Sequence, residues 1–214
     1  MKNILVTRLE ENSRELSNRL RMEGHRVFFE PLFTIEKLPT KKIIEEISAP
    51  ISAVIITSGN AISALENSKI GKETKIFTVG AKTAKILERI GFQNVVVSPK
   101  NSAESLFDFI ANEPEQILYL RGSVISFDFA EKLKNVREIL TYKTHEVENF
   151  SANFAKIYYD EVMIFSKNSC EIFHKLISRH NLLEYFSRSK ILCLSPQILE
   201  KAKNLGFKNL ELSK

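Results

Sequence analysis

The chain has 214 residues, 43% hydrophobic and 27% charged, a globular composition that excludes a disordered or membrane-embedded polypeptide. Lys and Arg number 31 against 26 Asp and Glu, and the resulting +5 suits an anionic small molecule or a weak nucleic-acid contact. The charges are scattered without a run of five, so a nucleic-acid partner, which favours a basic stripe with interleaved aromatics, is not expected.

Ile4-Leu5-Val6 reads as a short buried strand, Glu10 to Met22 as a helix stopped by Gly24, and Val27-Phe28-Phe29 as a second strand closed by Pro31. Strand, helix and strand with short connections is the pattern of a parallel sheet. Phe33 to Leu38 is extended and reads as a first crossing between lobes. Five strands are then expected before the next crossing: Ala53 to Ile56, Ile76 to Val79, Val95 to Val97, Ile117 to Leu120 and Val136 to Ile139. Helices are expected over 43 to 47, from about Ala61, over Ala84 to Ile90, over Ser105 to Ile110 and around Phe129 to Leu133. Leu140 to Val147 alternates apolar and polar residues with no Gly or Pro, and reads as a second, extended crossing with Tyr142 facing the gap between lobes. Strands at Val162 to Phe165, Ile191 to Leu194 and Asn209 to Leu212 follow, with helices over Cys170 to Ser178 and up to Leu205, and a further turn over Leu182 to Phe186. With the two opening strands this lobe also has five.

An internal repeat supports that count. Lys75 to Val97 lies over Lys190 to Leu212 without a gap, with Lys, Ile, Gly, Phe and Asn coinciding at 75/190, 76/191, 91/206, 92/207 and 94/209. Thr57 to Ala61 likewise lies over Phe165 to Ser169.

Ligands of parallel α/β sheets sit beyond the carboxyl ends of the strands. Here those ends read Thr7-Arg8, Thr57-Ser58-Gly59-Asn60, Gly80-Ala81-Lys82-Thr83, Arg121-Gly122-Ser123, Ser166-Lys167-Asn168-Ser169 and Ser195-Pro196-Gln197. Each precedes a helix. Small residues leave backbone N–H groups open to a ligand, and the helix dipole favours an anion. The competing reading of each hydroxyl is an N-cap. There is no dinucleotide or phosphate-loop glycine pattern, no nucleophile elbow and no paired acids at a strand end. Cys170 and Cys193 lack zinc spacing and read as buried thiols in a reducing compartment. The opening Met1 to Arg8 is not a signal peptide, and no apolar run approaches membrane-spanning length. A cytoplasmic protein is expected, and nothing demands more than a monomer.

Taken in order, Val6-Thr7-Arg8, Ile56 to Ala61, Val79 to Ala84, Tyr119-Leu120-Arg121-Gly122, Tyr142-Lys143-Thr144 and Phe165-Ser166 resemble the uroporphyrinogen-III synthase family over nearly the whole chain. Leu9 and Lys167 stand where that family usually has Pro, and Ser195-Pro196-Gln197 lacks its usual Gly. The resemblance implies two flavodoxin-like α/β lobes with parallel five-stranded sheets, joined by a two-stranded ladder, with the site in the cleft between. The first lobe would be 1–33 plus 147–214, the second 38–140, and the linker strands 34–37 and 141–146.

It further implies cyclisation of hydroxymethylbilane, a linear tetrapyrrole with eight carboxylates, to uroporphyrinogen III, with loss of water, inversion of the last pyrrole and no cofactor. Loss of the hydroxyl needs only modest acid help, which a tyrosine can give, and Tyr142 is the candidate. The candidate binding residues are Thr7, Arg8, Thr57, Ser58, Gly59, Asn60, Gly80, Thr83, Arg121, Gly122, Ser123, Thr144, Ser166, Lys167, Asn168 and Ser195. The alternative is a non-catalytic two-lobe cytoplasmic binding protein for an anionic small molecule. A sugar- or nucleotide-transferring enzyme would call for an acidic residue at a strand end, which is lacking.

Overall fold

The structure is a computed structural model describing residues 1–40, 44–45, 50–66, 68–113 and 115–213. The helix expected over 43 to 47 therefore lies mostly outside the described residues. In chain order the strands are β1 (Asn3–Val6), β2 (Arg26–Phe29), β3 (Phe33–Lys37), β4 (Ile51–Ile56), β5 (Lys75–Thr78), β6 (Val95–Val97), β7 (Gln116–Gly122), β8 (Val136–Glu146), β9 (Glu161–Ile164), β10 (Lys190–Cys193) and β11 (Leu210–Leu212). The helices used below are α1 (Arg14–Met22), α2 (Ile62–Glu66), α3 (Ala81–Arg89), α4 (Ala103–Ile110), α5 (Phe129–Lys132), α6 (Lys167–Arg179) and α7 (Pro196–Asn204). The expected helix from Glu10 is divided: Glu10–Asn12 is a 3-10 turn, and α1 starts only after the buried Ser13. The turn or two of helix expected over Leu182 to Phe186 is irregular turn instead.

The chain forms two compact units, Met1–Thr34 with His145–Lys214, and Ile35–Thr144. In the first, five strands lie in the order β11-β10-β9-β1-β2, all parallel. Period-2 alternation sends Leu5, Val162, Ile164, Ile191 and Cys193 to one face, where Ile172, Phe173 and Leu176 of α6 and Ile198 and Ala202 of α7 cover them. Ile4, Val6 and Met163 point the other way, to Leu20 of α1. Burial on both faces is why these strands read as short apolar runs.

The second sheet has six strands, β3-β8-β7-β4-β5-β6. Val54, Ile56, Leu118, Leu120 and Ile139 pack under α2 and α3. Ala53, Ile55, Ile117 and Tyr119 pack on the opposite face against Leu106 and Ile110 of α4 and Phe129 of α5. Strands β4 to β8 are mutually parallel. The Leu38 N–H donates to the Thr141 carbonyl and the Val147 N–H to the Leu32 carbonyl, so β3 runs antiparallel to β8. The expectation of five strands in this sheet is thus corrected. The two crossing segments pair with one another, and β8 continues unbroken from Val136 to Glu146, so the crossing is the end of a sheet strand and not a separate element.

The two sheets share one layout. Placing β9, β10 and β11 over β4, β5 and β6, as the repeat in the sequence does, puts β1 over β7 and β2 over β8 in the same spatial order. The repeated glycines have a common cause: Gly91 and Gly206 both adopt left-handed backbone, φ +99° and +91°, just past α3 and α7. Their N–H groups accordingly turn back to Glu88 and Lys203 carbonyls. A Cβ on Gly206 would meet nothing within 4 Å, so its side-chain cost is backbone strain alone. Gly206→Ala is expected to lower stability by about 1 kcal/mol and Tm by about 2–4 °C, read by thermal unfolding followed by circular dichroism.

Candidate active site

Parallel pairing brings the predicted residues to one edge of each sheet. In the unit built on β1 and β9, that edge carries Thr7, Arg8, Ser166, Lys167, Asn168 and Ser195. In the unit built on β4 and β7, it carries Thr57, Ser58, Gly59, Asn60, Gly80, Thr83, Arg121, Gly122 and Ser123, with Tyr142 and Thr144 farther along β8.

Several of these groups are already occupied. The Thr7 hydroxyl, 1% exposed, donates to the Met163 carbonyl at 2.7 Å and ties β1 to β9. The Ser58, Ser166 and Ser195 hydroxyls accept the N–H groups of Asn60, Ser169 and Ile198 and cap the turns that follow. For these hydroxyls the capping role wins. Capping leaves the remaining first-turn N–H groups aimed outward from the edge. Lys167 and Asn168, at the start of α6, are exposed there.

At the edge of the first unit, Arg8 is the cation best placed for a ligand. Its guanidinium lies 4.2 Å from the centroid of the Phe165 ring, a residue of the neighbouring strand end. No acidic partner of Arg8 is found among the described residues. Desolvation by burial lowers its pKa from the ordinary arginine value, yet an arginine remains charged at neutral pH.

The equivalent position in the other unit is Arg121. Met163 pairs with Val6 and Ile55 with Tyr119, so overlaying β9 on β4 carries Val6 to Tyr119 and Arg8 to Arg121. Arg121 differs in its surroundings: its Nε donates to Glu138 Oε2 at 2.8 Å and its Nη1 to the Gly122 carbonyl at 3.1 Å. Among the described residues Arg8 thus has no acidic neighbour, whereas its counterpart Arg121 is paired within its own sheet.

At the other unit's edge, contacts link the strand ends. Thr57 Oγ1 lies 3.2 Å from the Tyr119 hydroxyl, across β4 and β7. A Cβ on Gly59 would come within 4.0 Å of the Thr83 hydroxyl, across β4 and β5. Ser123 receives the Thr144 N–H at 3.0 Å and donates its own N–H to the Tyr142 carbonyl. Beside Thr141 lies a cavity of ≈ 490 Å³ lined by Lys37 to Thr40, Ser63, Ala64 and Glu66. A second cavity of ≈ 330 Å³, between Phe186, Phe207 and His174, lies at the amino ends of β10 and β11 and touches none of the predicted residues.

Tyr142 does not stand out from its strand. It is 7% exposed and packs in the core with Ile139, Leu118 and Leu120. Its hydroxyl has no hydrogen-bond partner among the described residues. Residues 139 and 142 share a face because β8 carries an extra residue at Thr141: Arg121 pairs with Leu140, but Gly122 pairs with Tyr142. Simple alternation along the sequence hides this shift. It also missed Tyr119, whose hydroxyl sits at the strand end; burial raises its pKa, the bond with Thr57 and the Arg121 charge opposing. Phe165, the platform for Arg8, was missed too, because a phenylalanine ending an apolar run reads only as core.

Cys170 and Cys193 are buried and free. Burial pushes the Cys170 thiol up to about 12, with Cys193 and Glu171 adding and Lys201 opposing. Burial likewise raises Cys193. Neither is an available nucleophile. Among the described residues no three His, Cys, Asp or Glu side chains converge as metal ligands, and no helix is long and apolar enough to cross a membrane.

A family model described as "Uroporphyrinogen-III synthase HemD" matches residues 14–214. Among solved structures, the uroporphyrinogen-III synthetase of Helicobacter pylori superposes with a TM-score of 0.63 at 16% identity, covering 98% of this chain and 92% of that one. A mutant uroporphyrinogen III synthase of the extremely thermophilic bacterium Thermus thermophilus gives 0.62 at 14% identity, covering 100% and 94%. At such identities these are likenesses of fold. No curated protein matches.

The buried thiols carry a pH signature. The folded state holds the Cys170 proton up to about 12, whereas the free thiol releases it near 9.0. This contribution to stability is complete below that lower value and is lost as the pH rises toward the upper one. Ellman titration at pH 8 is expected to count no fast thiol in the native protein and both after unfolding, and urea midpoints should fall between pH 9 and 11.

Proposed function

The chain belongs to the uroporphyrinogen-III synthase family, a family of hydro-lyases of tetrapyrrole biosynthesis, and we propose that Tyr142 is the acid that starts its reaction. The match over residues 14–214 carries the family assignment; the roles of individual residues are our reading of the edges described above. The reaction converts hydroxymethylbilane to uroporphyrinogen III with loss of water and inversion of the last pyrrole. The pyrrole nitrogen expels the terminal hydroxyl, and the Tyr142 O–H delivers its proton so that water leaves. The resulting azafulvene is attacked by the substituted carbon of the last ring, giving a spiro centre. The bond from the spiro carbon to the methylene of the third ring then breaks, leaving a second azafulvene; the free α-carbon of the last ring attacks that methylene, and the proton it loses on rearomatisation returns to the tyrosine oxygen. Protons balance over the cycle.

The harder task is choosing the attacking carbon, since free bilane closes without inversion. That requires one folded conformer of the substrate, an entropic role for the binding groups. Arg8, with no acidic neighbour among the described residues, supplies a full positive charge for a carboxylate. The first-turn N–H groups after Ser58, Gly80, Ser166 and Ser195 add partial charges of about 0.3–1 kcal/mol each. Lys167, Asn168 and Asn60 are the side chains still available at the same edges, while Thr83 is buried and Ser123 already accepts the Thr144 N–H. Arg121, Thr7 and the capping hydroxyls support these groups from behind.

We take residues 1–33 with 147–214, and 38–140, as the two lobes, with 34–37 and 141–146 as crossing segments. Numbered in chain order within each sheet, the first reads 2-1-3-4-5 and the second, β3 apart, reads 3-2-1-4-5, both doubly wound orders. Both orders reverse at one point, β1/β9 in the first and β4/β7 in the second. Arg8 with Phe165, and Thr57 with Tyr119, straddle those two points, where doubly wound sheets bind their ligands. We place the enzyme in the cytoplasm as a monomer acting without a cofactor.

The test generates bilane in situ, adds this protein, and separates the oxidised porphyrinogen isomers. Type III product is expected from the wild type, and only type I product from folded protein would overturn the reading. Tyr142→Phe should slow type III formation about 100-fold. In the same assay Arg8→Ala should raise KM about 10-fold, the scale of one charged hydrogen bond. Thr7→Val should leave KM unchanged and cost about 1 kcal/mol of stability in urea.

A further inference from the structure

We infer that Gly122 is a positioning residue for Tyr142: the missing side chain at 122 is the seat that holds the tyrosine hydroxyl at its working position. The inference rests on Tyr142 acting as the acid. An ideal Cβ built on Gly122 would lie 2.4 Å from Cζ, 2.5 Å from Cε2 and 2.6 Å from the hydroxyl oxygen of Tyr142. Real Cβ atoms do not approach other atoms so closely. The far end of the ring, with its hydroxyl, therefore occupies the volume a side chain would fill.

The glycine is not there for its backbone. Its φ lies outside the left-handed range that the other turn glycines use. Space for the ring is what position 122 provides. Nor does the ring have another place to go: Tyr142 is 7% exposed and is packed against Ile139, Leu118 and Leu120.

The bulge brings the two residues face to face. Regular pairing beyond Arg121/Leu140 would set Gly122 opposite Thr141 and turn the Tyr142 side chain to the other face. The extra residue is held by its own bond, Thr141 Oγ1 donating to the Arg121 carbonyl at 3.0 Å. Beyond it the Tyr142 carbonyl accepts the Ser123 N–H at 3.0 Å. Ring, glycine and bulge form one unit, bonded to β7 on both sides of Gly122.

A methyl at 122 must push the ring end back by about 1 Å, from 2.4 Å to ordinary contact at 3.4 Å. A displacement of that size at a reacting group costs on the order of 100-fold in rate. Gly122 itself then needs no contact with substrate.

The experiment is a double-mutant cycle on the full chain, with kcat and KM for type III formation measured for Gly122→Ala, Tyr142→Phe and the pair. Gly122→Ala is expected to lower kcat about 100-fold with KM within about twofold. On the Tyr142→Phe background it should lower kcat by less than about threefold, because the hydroxyl it misplaces is already gone. The same loss on both backgrounds, or wild-type kcat in folded Gly122→Ala, would overturn the inference and leave the acid role standing. Wild-type kcat in Tyr142→Phe would remove the acid reading, and this inference with it. Should Gly122→Ala fail to fold, Gly122→Ala with Tyr142→Ala must fold, since the ring has been taken away; if that pair also fails to fold, the glycine is needed for some other reason and the inference is wrong.

Discussion

One extra residue in β8 governs the second sheet's working edge. Up to Leu140 the strand pairs with β7 in plain parallel register, and the last pair, Gly122 with Tyr142, is one residue out of step. Thr141, between them, spends its hydroxyl on the Arg121 carbonyl. Because side chains alternate, a one-residue insertion moves every later side chain to the opposite face. Ile139 and Tyr142 consequently share one core cluster, and both Thr141 and Tyr142 are buried. A strand without the insertion would place Thr141 in the core and send the tyrosine elsewhere.

The same strand accommodates two partners of opposite direction. Parallel β7 lies on one side, antiparallel β3 on the other. Only an unbroken strand of 11 residues can satisfy both, which explains the absence of Gly and Pro from Val136 to Glu146. The edge residues inherit their positions from this arrangement. Ser123 is fixed to β8 through the Tyr142 carbonyl and the Thr144 N–H.

The repeat presents its strand-end groups in two unequal versions. Both sheets bring an arginine to the equivalent strand end, and the surroundings decide its use. Arg121 lies between Glu138 and the Gly122 carbonyl, so its charge is consumed by structure. Arg8 lies over an aromatic face, and among the described residues no carboxylate takes its N–H donors. Where Phe165 supports that arginine, the matching residue Thr57 instead meets the Tyr119 hydroxyl. Both edges carry capped helix starts, whose remaining first-turn N–H groups are donors spread over a surface and not gathered in one pocket.

Much of this was legible from the residues. Apolar runs such as Ile4 to Val6, Val54 to Ile56 and Ile191 to Leu194 mark strands because a sheet buried on both faces has no polar alternation to blur. Gly91 and Gly206 mark helix ends because glycine takes the left-handed backbone there without a side-chain penalty, and their common spacing reveals the repeat. The family follows from motifs at the strand ends, since those lie in order along the chain. What the sequence could not settle were choices between partners distant in the chain. Thr7 could have bound a ligand or tied β9; only the pairing of β1 with β9 brings the Met163 carbonyl within 2.7 Å. Arg8 and Arg121 look alike until Phe165 and Glu138 are placed beside them. The side taken by Tyr142 depends on a bulge that leaves no mark in the alternation of Leu140 to Val147, because an inserted residue is defined only against the strand opposite.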